Sequence, residues 1–173
     1  MLSNFNKSKY KFNYPGKEGI PESYPIPKIE GLLFYIQRNL NQNTVVYVAN
    51  KNPDGYLNEE YPMKVYWINY NEGGKVKKLN LIQNKLAFGY NCTKINNETF
   101  TFNMVSYNKL DFFIAKNRNG NHRVFTKPGN KLIDLHNIFV YAEEFGIFPQ
   151  VKFIEFFGEE TNSNFPAYHK LLI

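Results

Sequence analysis

Thr99-Phe100-Thr101-Phe102-Asn103-Met104 alternates polar and apolar side chains one by one, placing Phe100, Phe102 and Met104 on one face and Thr99, Thr101 and Asn103 on the other. That period of two is the pattern of a strand with one face buried and one face wet. Turn signals bracket this strand and its neighbours: Pro53-Asp54-Gly55, Gly73-Gly74, Asn96-Asn97, Asn119-Gly120, Pro128-Gly129-Asn130 and the stretch from Gly146 to Pro149. Each supplies a residue that tolerates positive φ or fixes φ, as chain reversals need. Between them, runs rich in Val, Ile, Tyr and Phe predict strands near 32–39, 44–50, 63–71, 88–95, 99–106, 110–117, 122–127, 131–141 and 150–157. Leu79, Ile82 and Leu86 recur instead at helical spacing before Gly89, which predicts one short helix over 79–88.

Nine strands with one helix predict an all-β fold: an antiparallel meander closing into a calycin-like barrel, with a β-sandwich as the alternative. An open sheet of that size would leave long edges able to pair with other chains. Residues 1–31 hold four prolines and three glycines, too many for helix or central strand, and read as a Pro-rich arm that lies across the domain or stays mobile. Residues 32–173 read as one β domain. Segments 44–50 and 63–70 are apolar on both faces, so a helix, the arm, a partner or an internal cavity must cover the second face.

At 173 residues the chain can bury a core without a disulfide or structural metal, and Cys92, its single cysteine, excludes an internal disulfide framework. No apolar run approaches the roughly 18 residues that span a bilayer, and residues 1–20 lack the apolar region of a signal peptide. The chain as it stands is expected to be soluble and cytoplasmic, with a periplasmic or surface location if a signal was removed. The 25 asparagines fit an A/T-rich codon bias, so the sequons at Asn6, Asn91 and Asn97 carry little weight. The net charge of +6 is uneven: +4 over 1–17, −3 over 18–60, +9 over 61–131 and −4 over 132–173. The basic middle could meet nucleic acid, an anionic membrane surface or an acidic ligand.

Leu33-Phe34-Tyr35-Ile36-Gln37-Arg38-Asn39, followed by Asn43-Thr44-Val45-Val46-Tyr47, Val65-Tyr66-Trp67-Ile68, Leu79-Asn80 and Ile82-Gln83, resembles an uncharacterised domain-of-unknown-function family found mainly in Bacteroidetes bacteria. The likeness runs from about Leu32 to Phe157. It implies a bacterial source and, because such members often look exported, a periplasmic or surface location. It implies no activity and no site residue.

His122, His136 and His169 lack any metal-ligand spacing, and there is no phosphate-cradling glycine motif, so neither metal nor cofactor is expected. Asp134 and His136, two apart on one strand, have the spacing by which a carboxylate orients an imidazole. No nucleophile motif accompanies them, although Cys92 or Ser106 could converge on them. With 18 lysines against 3 arginines, the arginine positions are informative. Arg38, with Gln37, is expected to meet Glu155 or Asp134 in a partly buried polar cluster. A two-residue turn at Asn119-Gly120 would place Lys116 opposite Arg123, making Lys116, Arg118, His122, Arg123 and Lys127 an anion-attracting hairpin.

Tyr35, Tyr47 and Trp67, with Gln37, Arg38 and Asn69, could line a barrel interior and hold a small amphipathic ligand. The sequence therefore reads as a non-enzymatic binding or interaction module, taking a small apolar or aromatic molecule inside or a protein partner on an aromatic surface. The alternatives are polyanion or nucleic-acid binding through 61–131, and an enzyme using Asp134 and His136. Ligand and oligomeric state stay open at this level.

Overall fold

The computed structural model describes residues 19–163 and 165–173. Residues 1–18, which include Asn6, Pro15 and Gly16 and the +4 charge of 1–17, lie outside the described residues. The strands are β1 (Leu32–Arg38), β2 (Asn41–Ala49), β3 (Met63–Asn69), β4 (Lys75–Lys78), β5 (Tyr90–Asn96), β6 (Thr99–Met104), β7 (Tyr107–Lys116), β8 (His122–Thr126), β9 (Ile133–Phe145), β10 (Phe148–Glu160) and β11 (Pro166–Leu172). The helix, α1 (Leu81–Leu86), falls within the expected 79–88 window. Two short strands, β4 and β11, escape the sequence reading. Lys75-Val76-Lys77-Lys78 shows only one apolar residue, and β11 begins on a proline.

Nine strands follow one continuous order, β4-β3-β2-β1-β9-β8-β7-β6-β5, and curl into a half-barrel, with β10 and β11 continuing from β9. The all-β class with one short helix is as expected. The sheet departs from a pure meander at one place: β1 runs parallel to β9, Tyr35 to Arg38 pairing with Asn137 to Val140. The same edge of β9 pairs antiparallel with β8 through Ile133 and Asp134. Between the two ladders stands His136, which has no residue opposite it on β10, because Leu135 faces Gly158 and Asn137 faces Phe157. This bulge bends β9 so that its edge can leave β8 and take up β1.

Gly158 belongs to that bend. A Cβ built there would lie 2.1 Å from the Asp134 carbonyl oxygen, a backbone atom that cannot swing away. Gly158→Ala is therefore expected to destabilise the fold by about 2–3 kcal/mol, the upper part of the roughly 1–3 kcal/mol range for forced overpacking. Urea unfolding reads this directly; a shift under about 0.5 kcal/mol, the level of an ordinary surface change, would remove glycine's role at the bulge.

The inner face carries the main core. Phe34, Tyr47, Phe100, Phe102, Phe112, Ile114, Val124 and Leu135 are all buried there, with Leu57 brought in by the bridge between Lys51 and Leu57. Outside, Val46, Val48 and Ile68 pack with Ile29, Leu32, Tyr35, Tyr66 and Tyr70, while Phe139 and Phe157 pack with Ile20, Tyr24, Tyr141 and Tyr168. The proline-rich segment from residue 19 onward thus lies across the sheet. Its hold is polar as well: the Tyr24 hydroxyl donates to the Arg38 carbonyl at 3.0 Å, and the Gln37 amide donates to the Pro25 carbonyl at 2.9 Å. Over β2 and β3 the arm contributes Ile29, and the rest of that outer cluster is Leu32, Tyr35, Tyr66 and Tyr70.

Among the described residues β4 pairs only with β3 and β5 only with β6, so no backbone ladder joins the two ends of the nine-strand path. Side chains span the gap instead. The Met63 amide donates to the Tyr90 hydroxyl at 3.0 Å, and that hydroxyl donates to the Met63 carbonyl at 2.7 Å. The Tyr47 hydroxyl donates to the Phe88 carbonyl at 2.7 Å, and the Trp67 indole to Gln83 Oε1 at 3.2 Å.

Candidate functional site

The six residues expected to line a ligand cavity divide between two faces. Tyr47 and Trp67 face inward, and Arg38 lays its guanidinium over the Trp67 ring at 4.9 Å. Asn69 shares the Trp67 face of β3, and its side-chain amide donates to Glu72 at 3.4 Å. Tyr35 and Gln37 face outward beneath the arm, because successive strand residues point oppositely. The interior itself is occupied by rings. Phe34 stacks on Tyr47 at a centroid distance of 4.2 Å and on Phe102 and Phe112 at 6.3 Å each, while Phe102 stacks on Phe112 at 5.0 Å. The polar tips of Tyr47 and Trp67, which would orient a ligand, are already bonded within the chain.

The expected polar cluster around Arg38 does not assemble. Arg38 is on the inner face, and its Nε is buried without a hydrogen-bond partner. Glu155, only 2% exposed, pairs with Phe139 and Lys170 on the outer face and accepts a hydrogen bond from the Tyr168 hydroxyl. Asp134 is taken by a different arginine: Arg123 Nε donates to Asp134 Oδ1 at 2.9 Å while another guanidinium nitrogen donates to the Leu135 carbonyl at 2.8 Å. The alternation of β1 decides this, since Gln37 and Arg38 cannot point the same way.

The hairpin register also differs from expectation. The connection is the five residues 117–121, organised by Asn117, whose side-chain oxygen accepts from the amides of Asn119 and Asn121. Lys116 therefore faces His122, and Ala115 faces Arg123. Lys116 meets Glu98 at 2.6 Å, and Arg123 turns to the outer face toward Asp134. Arg118, in the loop, and Lys127, beyond the end of β8, complete no shared face with them. His122 is buried on the inner face with both ring nitrogens unpartnered, and burial, with the charges of Lys51 and Lys116, holds its pKa below the ordinary histidine value.

Asp134 and His136 both lie within the influence of Arg123. Burial pushes His136 down to about 3, with Arg123 adding to the effect, and burial raises Asp134 against the pull of the same arginine. A neutral imidazole this hard to protonate is a poor general base near neutral pH. Cys92 faces inward beside Phe102 on β5, with three strands between it and β9, and burial raises its thiol pKa, the reverse of nucleophile activation. Among the described residues no cluster of His, Cys, Asp and Glu could hold a metal ion. A cleft of about 310 Å³ opens between the 128–131 turn and the start of β11, lined by Gly129, Lys131, Ile133, Glu160, Ala167 and His169. None of the expected site residues lines it, and Lys131 and Glu160 pair across it at 2.8 Å.

Helical spacing alone does not say which side of α1 meets the core, and Leu81, Ile82 and Leu86 are 68%, 70% and 71% exposed. The orientation has a local cause. Asn80 and Gln83 form a reciprocal capping box, and Gln83 also accepts the Trp67 indole hydrogen, so the polar Gln83 is the side turned to the barrel. At about 100° per residue, Leu81, Ile82, Lys85 and Leu86 then share one outward arc. The useful signal was Asn80 three residues before Gln83, which marks where a two-turn helix is anchored.

The fold and these surfaces define an all-β half-barrel with a packed interior, whose spare apolar side chains are on the outside. Residues 34–170 match the model of a family described as Domain of unknown function (DUF4833), and the chain belongs to that family. No curated protein and no solved structure matches the chain.

Proposed function

We propose that this protein is a non-enzymatic interaction module that engages a macromolecular partner with its exterior rather than a small molecule in its interior. The carrying observation is the stack of Phe34, Tyr47, Phe102 and Phe112, which occupies the space a ligand would need. The apolar residues not used in that stack support the reading: Val76, Leu81, Ile82 and Leu86 are each more than 60% exposed, beyond the scattered exposure that needs no explanation. The nucleic-acid alternative loses part of its support from pairing, since five of the twelve basic residues of 61–131, Lys77, Lys94, Lys116, Arg123 and Lys131, meet a carboxylate. A catalytic role for Asp134 and His136 loses it from their protonation behaviour and their absence from the cleft lining.

Native mass spectrometry of the protein taken from its own source tests the reading. A stoichiometric assembly with a macromolecular partner, and no small-molecule adduct on the isolated chain, is the expected outcome. A one-to-one adduct of a few hundred daltons that shifts Trp67 emission would overturn it in favour of an interior ligand.

A further inference from the structure

Resting on that reading, we infer that residues 75–86 are a docking surface for an anionic lipid bilayer. This span, Lys75-Val76-Lys77-Lys78-Leu79-Asn80-Leu81-Ile82-Gln83-Asn84-Lys85-Leu86, carries four lysines and no acidic residue. It includes the edge strand β4 and the helix α1. Val76, Leu81, Ile82 and Leu86 are 61–71% exposed, and no side chain of α1 is buried.

Water is a poor medium for four exposed branched side chains, so something must favour keeping them there. The polar side of α1 is committed to the barrel through Gln83, Asn80 and Trp67, which leaves Leu81, Ile82 and Leu86 facing away from the protein. Lys85 lies in the same outward arc, and Lys75 and Lys78 are exposed beside it in the chain. Lys77 alone is neutralised, by Glu72 at 2.9 Å.

This chemistry selects among partners. Single-stranded nucleic acid stacks on aromatic rings and arginine planes, and the span has neither. A protein groove reads a helix through anchors spaced over several turns, whereas α1 has six residues. A bilayer interface asks for less: aliphatic side chains to enter the acyl boundary and long lysines whose heads stay among anionic headgroups. The protein would sit with β4 and α1 against the membrane surface, without crossing it.

Flotation with vesicles provides the test, using equimolar phosphatidylcholine and phosphatidylglycerol beside pure phosphatidylcholine. The protein is expected to float with the anionic vesicles, to stay behind with the neutral ones, and to be released by high salt. Replacing Lys75, Lys78 and Lys85 together by Gln is expected to lower partition about a hundredfold, at roughly fivefold per lysine. Ile82→Ser combined with Leu86→Ser is expected to lower it by about tenfold or more. All five side chains are exposed, so an unchanged thermal transition certifies that each variant is folded. Failure to bind anionic vesicles, equal binding to neutral ones, or binding that both variants retain would each overturn the inference. Duplex DNA binding lost in the lysine variant, without vesicle binding, would transfer the surface to nucleic acid and overturn it too. The two levels stay distinguishable: a macromolecular assembly in native mass spectrometry without vesicle binding defeats only the lipid partner, whereas an interior adduct defeats the interaction-module reading itself.

Discussion

Phe34→Ala is expected to lower the unfolding free energy by about 3–5 kcal/mol, a large share of the roughly 5–15 kcal/mol by which domains are stable. Phe34 is completely buried, in face-to-face contact with Tyr47 and within stacking range of Phe102 and Phe112. These partners come from β2, β6 and β7, on both arms of the half-barrel, so collapse into the gap would require strands far apart in the sheet order to move together. The cavity should therefore persist, and a dry aromatic-lined cavity of that kind takes up benzene-sized solutes. Urea unfolding should show a lower midpoint at an unchanged slope, and added benzene should restore part of the loss. Phe113→Ala, at a position 36% exposed on the opposite face of β7, serves as the comparison and should cost far less. Equal losses for the two variants would mean that the ring stack is not the centre of the core.

Acidification is expected to remove about 3 kcal/mol of stability between pH 7.5 and 4.5, most of it through His136, at the 1.36 kcal/mol that each unit of pKa difference represents. In the unfolded chain a histidine takes up its proton near pH 6.5, whereas His136 in the fold holds out to about 3. Between those values the unfolded state binds more protons, so stability is fully present above 6.5 and is lost as pH falls toward 3. His122, also lowered, acts in the same direction. Asp134, near the same Arg123, is raised, so its ionised form is the disfavoured one and it opposes the loss only as pH falls through its own titration. The carboxylates of Glu72, Glu98 and Glu160 are held below the usual range by their lysines, so their contribution disappears below about pH 4.5 and leaves the window above it to the histidines. His136→Gln puts an uncharged, hydrogen-bonding amide in place of the imidazole at the bulge and removes the titration. Its stability should vary much less with pH between 7.5 and 4.5, leaving the His122 share; a slope equal to that of the unaltered protein would exclude His136 as the source.

Part of the candidate surface could be read directly from the chain, and part could not. The alternation of Thr99 to Met104 places Phe100, Phe102 and Met104 inside without any knowledge of the fold, because a pleated strand has only two faces. The apolar residues on both faces of β2 likewise called for a second cover, to which Ile29 of the proline-rich segment contributes beside Leu32, Tyr35, Tyr66 and Tyr70. The role of α1 was harder to see. Leu79, Ile82 and Leu86 have the spacing of a buried stripe, yet a two-turn helix is oriented by its strongest anchor, here the Asn80–Gln83 box and the Trp67 indole. Leu79 alone, lying before the helix, packs against the core.

Local chemistry was sufficient for what depends on a few neighbouring residues: the strand periodicity, the single helix, the positive-φ glycines at Gly73, Gly74 and Gly120, and the proline-rich cover. Tertiary structure decided which distant strands meet and which way paired charges turn. The parallel ladder of β1 on β9, the bulge at His136 that permits it, and the choice of Arg123 rather than Arg38 for Asp134 all depend on contacts beyond the local chain. The physical reason is that a one-residue change of register reverses every side chain on a strand, and register is settled only when whole faces compete for one core.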